Sequence, residues 1–241
     1  MTGRIHSIET LGGLDGPGIR CVVFLQGCPM RCQYCHNPDT WDAAAGTQID
    51  SAEVAARIER CRSYFGRDGG VTLSGGEPLM QAAFAADILA RCKAAGIHTA
   101  VDTCGYYLTD AVKRALELTD LVILDIKHTD PRRHMELTGA PLSGTLAFLD
   151  YVAAKGIALW VRQVIVPGWN DSSQSLAALA AMVKDIPTLQ RVELLPFRKL
   201  GAWKYERLRL PCRLADAPEP DDALMARLRG ELAGLLADRH G

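Results

Sequence analysis

Residues 27–37 read Gly-Cys-Pro-Met-Arg-Cys-Gln-Tyr-Cys-His-Asn, and this stretch decides how the whole chain is interpreted. Its three cysteines, Cys28, Cys32 and Cys35, have the spacing C-x3-C-x2-C. A structural zinc site needs four ligands, which usually come as two spaced pairs. A [4Fe-4S] cluster held by three thiolates leaves one iron open to a ligand from outside the protein. The spacing therefore favours a cluster that does chemistry over one that only carries electrons.

Two other kinds of site remain compatible with these cysteines. A zinc knuckle would use His36 as its fourth ligand, although adjacent ligands such as Cys35 and His36 are awkward for one tetrahedral ion. A non-catalytic iron–sulfur carrier would take a fourth ligand from elsewhere in the chain. Iron and sulfide analysis together with an assay for cofactor cleavage separates these alternatives.

The composition limits the classes of function. The chain has 241 residues, of which 48% are hydrophobic and 23% charged, with a formal net charge of −1, so no overall field attracts nucleic acid or an anionic membrane. The N-terminus lacks the apolar core of a signal peptide, and no apolar run is long enough to cross a bilayer. Eight cysteines in such a chain are not typical of a disulfide framework. We therefore expect a cytoplasmic protein.

Strand and helix patterns alternate along the chain. Apolar β-rich runs predict strands at residues 19–26, 71–74, 98–102, 121–125, 159–166 and 191–195. Helical spacing predicts helices at residues 52–65, 81–95, 109–117, 142–155, 172–184 and 223–238. Such alternation indicates parallel strands with right-handed crossovers, and both a doubly wound sheet and a whole or partial barrel fit it. We expect one domain over residues 1–241, with residues 201–222 forming a loop before the last helix.

Polar residues follow or end the predicted strands. Because the carboxyl ends of parallel strands meet at one edge, we expect these residues to gather there and form a site. The cysteine loop follows the first strand, and the other residues of this kind are Ser74, Gly75, Gly76, Glu77, Asp102, Thr103, Asp125, Lys127, Arg162, Glu193 and Arg198. The glycines of the Ser-Gly-Gly-Glu-Pro turn permit close approach of a ligand to the backbone. By itself the turn is equally typical of an ordinary strand-to-helix connection.

Together, the cysteine spacing and the Gly-Gly-Glu-Pro turn resemble the radical S-adenosylmethionine superfamily. Within it, residues 3–7, 15–20, 24–28 and 35–41 resemble the N-terminal signature of the glycyl-radical-enzyme activating family. The residues Asp-Thr-Cys-Gly at 102–105, Leu-Asp-Ile-Lys at 124–127 and Trp-Val-Arg-Gln at 160–163 continue the resemblance in register. The family fold that this implies is an α/β, partial (β/α)6 TIM-like barrel with an N-terminal extension and a C-terminal helix.

The resemblance also implies roles for individual residues. Cys28, Cys32 and Cys35 would bind a [4Fe-4S] cluster, and the turn at 74–77 would contact the methionine part of S-adenosylmethionine. The other residues implied in cofactor binding are Tyr34, Asp102, Asp125, Lys127, Arg162 and Arg198. A monovalent cation, Na⁺ or K⁺, would be held by Asp102, Thr103, Ile123 and Asp125. Arg198 departs from the pattern, because relatives often carry histidine there.

The implied reaction is reductive cleavage of S-adenosylmethionine to a radical that abstracts hydrogen from a backbone glycine of a partner enzyme. The absence of cysteine-rich insertions after Trp41 favours pyruvate formate-lyase as that partner, docked through Asp15, Gly16 and Pro17. A flavodoxin or ferredoxin is the electron donor that the resemblance implies, and we expect a monomer. The alternatives within the same chemistry are a different glycyl radical enzyme or a small-molecule substrate.

Overall fold

The computed structural model describes residues 1–237. The strands are β1 (Thr2–Gly12), β2 (Arg20–Leu25), β3 (Thr47–Asp50), β4 (Gly70–Gly75), β5 (His98–Thr103), β6 (Leu121–Asp125), β7 (Ala158–Ile165) and β8 (Leu189–Pro196). The α-helices are α1 (Ser51–Arg60), α2 (Ala82–Ala94), α3 (Asp110–Leu116), α4 (Pro131–Thr138), α5 (Leu142–Ala154), α6 (Ser173–Val183), α7 (Ala202–Leu208) and α8 (Asp222–Ala237). Short 3-10 helices span Pro38–Thr40, Arg62–Tyr64 and Pro78–Gln81.

The eight strands form one sheet in the order β3-β1-β2-β4-β5-β6-β7-β8. From β2 to β8 the six neighbouring strands pair in parallel, whereas β1 and β3 pair antiparallel at one edge. Both edges, β3 and β8, lack a second partner strand among the described residues, so the sheet is an open barrel. The predicted six parallel strands and the partial barrel are confirmed.

The two faces of the parallel strands differ in chemistry. One face packs against the helices in a continuous apolar core that includes Val23, Leu73, Val101, Leu124 and Val161, all fully buried. The opposite face lines the interior of the barrel. It includes the small apolar cluster Ala100, Leu121 and Ile123, against which Trp160 packs, and a set of polar residues: Arg20, Thr72, Ser74, Asp102, Asp125, Arg162 and Glu193.

Helix ends follow local sequence signals. The side chains of Asp50, Thr109, Asp130 and Ser172 accept hydrogen bonds from backbone N–H groups in the first turns of α1, α3, α4 and α6. Gly139 ends α4 with a left-handed φ of +71°, which glycine adopts without steric cost. No helix within residues 1–237 is long and apolar enough to span a bilayer.

Four elements were not predicted from the sequence. The antiparallel strands β1 and β3 were missed, and so was α4, which follows β6. The prediction of a loop over residues 201–222 was wrong at its start, because α7 occupies Ala202–Leu208. The predicted last helix is present as α8, and its predicted final residue, Asp238, lies outside the described residues.

Candidate active site

The cysteine loop leaves the carboxyl end of β2 and is held by backbone hydrogen bonds on two sides. Gly27 N donates to Thr40 O at 2.8 Å. Further on, Arg31 N donates to Thr138 O at 2.7 Å and Gln33 N donates to Leu137 O at 2.9 Å, so the C-terminal end of α4 supports the loop. The unpredicted helix α4 therefore fixes the position of the three cysteines.

The three thiols of this loop are largely buried. Burial is the main cause that raises the pKa of Cys28 and of Cys32 to about 12 and raises the pKa of Cys35. Without a compensating cation the thiols stay protonated, whereas a bound metal centre holds thiolates and releases the protons. Among residues 1–237, no three Cys, His, Asp or Glu side chains converge on the position of a single ion. A four-iron cluster spreads its thiolate ligands over several metal atoms, so this donor set is compatible with one.

The Ser-Gly-Gly-Glu turn lies directly against the cysteine loop. Gly76 N donates to Leu25 O at 3.0 Å and Glu77 N donates to Gly27 O at 2.8 Å. A Cβ atom added to Gly76 would lie 2.3 Å from Gly27 O, a distance at which something must move. Glycine at this position therefore allows the backbone of the turn and the backbone of the loop to meet.

The carboxylate of Glu77 points into the protein and is fully buried. Its oxygens accept hydrogen bonds from Leu79 N at 2.9 Å, Thr103 Oγ1 at 2.8 and 2.9 Å, and Cys104 N at 2.9 Å. Burial raises the pKa of Glu77, although these hydrogen bonds oppose the change. The side chain ties the turn to the end of β5, so a direct contact of Glu77 with a cofactor remains a prediction.

Two carboxylates lie close together at the top of the barrel interior. Asp102 Oδ2 accepts a hydrogen bond from Ser74 Oγ at 2.9 Å, and Asp125 forms a short ion pair with Lys127. Burial, and then the charge of Asp125, raise the pKa of Asp102 to about 7. Burial alone would lower the pKa of Lys127, but Asp125 raises it well above its usual value. Lys127 therefore stays charged and neutralises only part of this acidic pair.

Arg162 connects these carboxylates with β8 and with the loop after β1. Strand register aligns Asp125, Arg162 and Glu193 across β6, β7 and β8. Arg162 Nε donates to Glu193 Oε2 at 2.9 Å, and Arg162 Nη1 lies 4.0 Å from Asp102 Oδ2. Its Nη2 donates to the backbone carbonyl of Leu14 through a short hydrogen bond. One buried guanidinium therefore contacts both the acidic group and the loop after β1.

Tyr34 belongs to the cysteine loop and lies beside Lys127, the ion-pair partner of Asp125. Its side chain is buried, and its hydroxyl has no hydrogen-bond partner among the described residues. The Nζ atom of Lys127 lies 5.9 Å from the centre of the Tyr34 ring. Because buried polar groups are normally satisfied, the unpaired hydroxyl is an observation that suits a ligand at this position.

The predicted partner loop, Asp15, Gly16 and Pro17, lies against interior residues of the barrel. Asp15 O accepts a hydrogen bond from Thr72 Oγ1 at 2.6 Å, and burial raises the pKa of the Asp15 carboxyl. Gly16 has a φ of +132°, which favours glycine. The backbone carbonyl of the neighbouring Leu14 contacts Arg162, while the residue as a whole is 84% exposed.

Arg198 is not brought to the acidic group. Its Nη1 donates to Glu219 Oε2 at 3.2 Å and to Pro220 O at 3.0 Å, so the side chain faces the segment before α8. His36 Nε2 lies 2.8 Å from the carbonyl of Arg198. The Arg198 side chain therefore contacts the segment before α8, its backbone carbonyl contacts the cysteine loop through His36, and its role in cofactor binding stays a prediction.

Two interior residues had been given no role by sequence reasoning. Glu193 was noted only as a polar residue on the last strand, yet it is the hydrogen-bonded partner of Arg162. Arg20, which is fully buried, donates through Nε to Thr72 Oγ1 at 3.0 Å and supports the residue that holds Asp15. Alternation along β2 and β8 is the signal that places both on the interior face.

Comparisons with known proteins agree with this geometry. Residues 14–139 match the family model described as "4Fe-4S single cluster domain". The chain is 47% identical over 237 residues to the pyruvate formate-lyase-activating enzyme of Clostridium pasteurianum, covering 98% of this chain and 99% of that protein. It is 40% identical over 235 residues to the pyruvate formate-lyase 1-activating enzyme of Escherichia coli (strain K12), covering 96% of each.

A solved structure gives the same result. A domain of the pyruvate-formate lyase-activating enzyme from Bacteroides vulgatus superposes with a TM-score of 0.58 at 25% identity, covering 69% of this chain and 94% of that one. The family-model match spans more than half of the chain, and the Clostridium relative matches over nearly its whole length. The chain belongs to the family of pyruvate formate-lyase-activating enzymes.

Proposed function

We propose that this protein activates pyruvate formate-lyase by generating a glycyl radical on it. The observation that carries the proposal is the contact between the three-cysteine loop and the Gly-Gly-Glu turn, joined by the Glu77 N to Gly27 O hydrogen bond of 2.8 Å. That contact brings the cysteine loop, whose thiolates are soft metal ligands, against the backbone of the turn. Both lie near the buried charges at the carboxyl ends of the parallel strands. The names of the relatives supply the identity of the target.

In this proposal Cys28, Cys32 and Cys35 hold a [4Fe-4S] cluster, and S-adenosylmethionine binds beside it. When bound, these two groups supply a one-electron reductive cleavage whose radical product abstracts a hydrogen atom from a glycine of the lyase. The backbone of the turn at 74–76 and the hydroxyl of Tyr34 face the cofactor. Glu77 acts through the turn, because its oxygens already accept hydrogen bonds from the chain.

The acidic pair Asp102 and Asp125 is proposed to bind a monovalent cation. A monovalent cation between them, completed by Thr103 and the carbonyl of Ile123, would relieve the repulsion that raises the pKa of Asp102. Arg162 is positioned to bind a carboxylate of the cofactor, since it already approaches Asp102 and Glu193. The first of these assignments adds a cation to the acidic pair, and the second adds a cofactor carboxylate to the partners of Arg162.

The lyase is proposed to dock at the open side of the barrel through Asp15, Gly16 and Pro17. Exposed apolar side chains surround that loop: Leu11 is 57% exposed and Leu14 is 84% exposed. Six parallel strands in place of a closed barrel leave room for a protein segment to reach the interior. We further propose that the chain is one domain, that it is a cytoplasmic monomer, and that a flavodoxin or ferredoxin supplies the electron.

The test is anaerobic reconstitution with iron and sulfide, followed by S-adenosylmethionine, a reductant and pyruvate formate-lyase. We expect 5′-deoxyadenosine to form and a glycyl-radical doublet to appear in the electron paramagnetic resonance spectrum. Release of 5′-deoxyadenosine without that doublet would indicate another glycyl radical enzyme as target. A protein that binds iron but releases no 5′-deoxyadenosine would be an electron carrier, and the proposal would be wrong.

A further inference from the structure

The region around α7 has a surface that the proposed reaction does not use. Leu200, Trp203 and Leu208 are 71%, 56% and 41% exposed, and Arg207, Arg209 and Arg213 are exposed beside them. We call these six residues the α7 surface. Trp203 and Arg207 are four residues apart on α7 and share its outward face, and Leu200 precedes the helix, whereas Tyr205 is turned inward and only 4% exposed.

The α7 surface is locally positive on a chain that is nearly neutral. Residues 198–213 contain six basic residues and one acidic residue, although the whole chain has a formal net charge of −1. Two of the basic residues are engaged, because Arg198 pairs with Glu219 and Lys204 pairs with Asp39. Arg207 and Arg213 form no ion pair within residues 1–237. The surface therefore combines exposed apolar groups with uncompensated positive charge.

The inward side of α7 rests directly on the cysteine loop and the residues that follow it. Lys204 Nζ donates to Asn37 Oδ1 at 2.8 Å and lies 3.0 Å from Asp39 Oδ1. The Tyr205 ring meets Trp41 edge to face, with 5.9 Å between ring centres. Cys35 and Tyr205 line the same cavity of about 320 Å³. The inward side of α7 therefore lies next to the cysteine loop, with the α7 surface on the outward side.

From this placement we infer that the α7 surface is the docking site of an acidic, low-potential electron-transfer protein that reduces the cluster. The inference rests on the proposed function, which requires one electron from outside for each reaction. Electron transfer slows steeply with distance, so a donor must dock on the surface nearest the cluster ligands. Basic residues around an exposed tryptophan suit an acidic partner, because charge steers the encounter and the aromatic ring supplies the contact.

The experiment compares two reductants of the anaerobically reconstituted full-length chain: the hydroquinone of an acidic flavodoxin, and sodium dithionite. The variants are Arg207→Glu with Arg213→Glu, and separately Trp203→Ser. Arg209 is retained because its φ of +54° makes the backbone sensitive there. The matched controls are Arg114→Glu, an exposed arginine on α3, and Tyr64→Ser, whose side chain is 58% exposed just before β4.

At low salt the double charge reversal should slow cluster reduction by flavodoxin about tenfold or more, and high salt should remove most of that difference. Trp203→Ser should slow it several-fold at every salt concentration. Both controls, and every reduction by dithionite, should match the wild type. Wild-type rates of reduction by flavodoxin in both variants would overturn the inference. So would normal reduction combined with lost lyase activation under dithionite, because the surface would then belong to the lyase.

The same assay separates this inference from the proposed function. If dithionite reduces the wild-type cluster but no 5′-deoxyadenosine forms, the proposed function fails. Slowed reduction of the variants by flavodoxin would still support the docking site in that case. The docking site is therefore tested by the rate of cluster reduction, and the proposed function is tested by the formation of 5′-deoxyadenosine.

Discussion

The two faces of the six parallel strands share one backbone and have opposite chemistry. The helix-facing side chains, such as Val23, Leu73 and Leu124, are fully buried in one apolar core. The interior-facing side chains alternate with them and include Asp102, Arg162 and other charged groups. Burial of apolar surface stabilises the fold, whereas buried charges cost free energy unless they are paired. The helix-facing side chains therefore stabilise the fold, whereas the interior-facing charges lower its stability and form the candidate active site.

Cysteines offer the sharpest test of this contrast, because the chain places them in both regions. Cys32→Ala should reduce the iron content from about four atoms per chain to nearly none and abolish 5′-deoxyadenosine formation, since one thiolate ligand is gone. Cys92→Ala, at a buried helix position, should keep the iron and lower the free energy of unfolding by about 1 kcal/mol. Iron and sulfide analysis with urea unfolding checks both. Equal iron loss in the two variants would contradict the assignment.

A substitution in the helix-facing core should act on stability alone. Ile88, on α2, is fully buried, so Ile88→Ala should lower the free energy of unfolding by about 2–5 kcal/mol by leaving a cavity. The folded fraction should retain full activity per bound cluster. The exposed Met135 gives a control, since Met135→Ala should change stability by less than about 0.5 kcal/mol. A large loss of activity in folded Ile88→Ala protein would mean that the two faces are not separable.

The interior face should respond to pH in a way that the core does not. The pKa of Asp102 is raised from 3.8 to about 7, so its folded state holds a proton that the unfolded chain releases. The metal-free wild type should therefore lose stability as the pH rises from about 4 to about 7, and Asp102→Asn should lose less. Added Na⁺ or K⁺ should restore stability at pH 7.5 in the wild type only. Urea unfolding at several pH values measures this, and identical pH profiles would rule out the raised pKa.

The contact between the turn and the cysteine loop should be sensitive to a single methyl group. Gly76→Ala places a Cβ 2.3 Å from Gly27 O, so the turn must move and the affinity for S-adenosylmethionine should fall several-fold. Gly230 lies in α8 with nothing within 4 Å of the added Cβ, and Gly230→Ala should raise stability by up to about 1 kcal/mol. Binding titrations and thermal unfolding distinguish these outcomes. Unchanged affinity in Gly76→Ala would remove the turn from the site.

Sequence patterns predicted those parts of the fold that carry a strong local sequence signal. The six parallel strands and their helices follow from apolar periodicity, and the family resemblance implied the barrel. The strand β1 was missed because most of its residues are exposed or half-buried and its sequence has no apolar run. The helix α7 has only 7 residues and is stabilised by tertiary contacts, such as those of Lys204, that no local pattern encodes.

The sequence predicted which residues form the candidate site better than it predicted the contacts between them. Strand ends and motifs identified the three cysteines, the turn and the acidic pair as neighbours. They did not reveal that Glu77 points inward to Thr103 and Cys104, or that Arg162 contacts the carbonyl of Leu14. Side-chain direction after a turn and contacts between distant loops depend on the packed structure, so sequence alone leaves them open.

The most direct test follows the hydrogen atom itself. Pyruvate formate-lyase labelled with deuterium at the α-carbon of its glycines is mixed anaerobically with the reconstituted protein, S-adenosylmethionine and reductant. We expect one deuterium in the 5′-deoxyadenosine that is recovered, together with a glycyl-radical signal on the lyase. Recovery of 5′-deoxyadenosine without deuterium would contradict the central claim that this barrel delivers its radical to a backbone glycine.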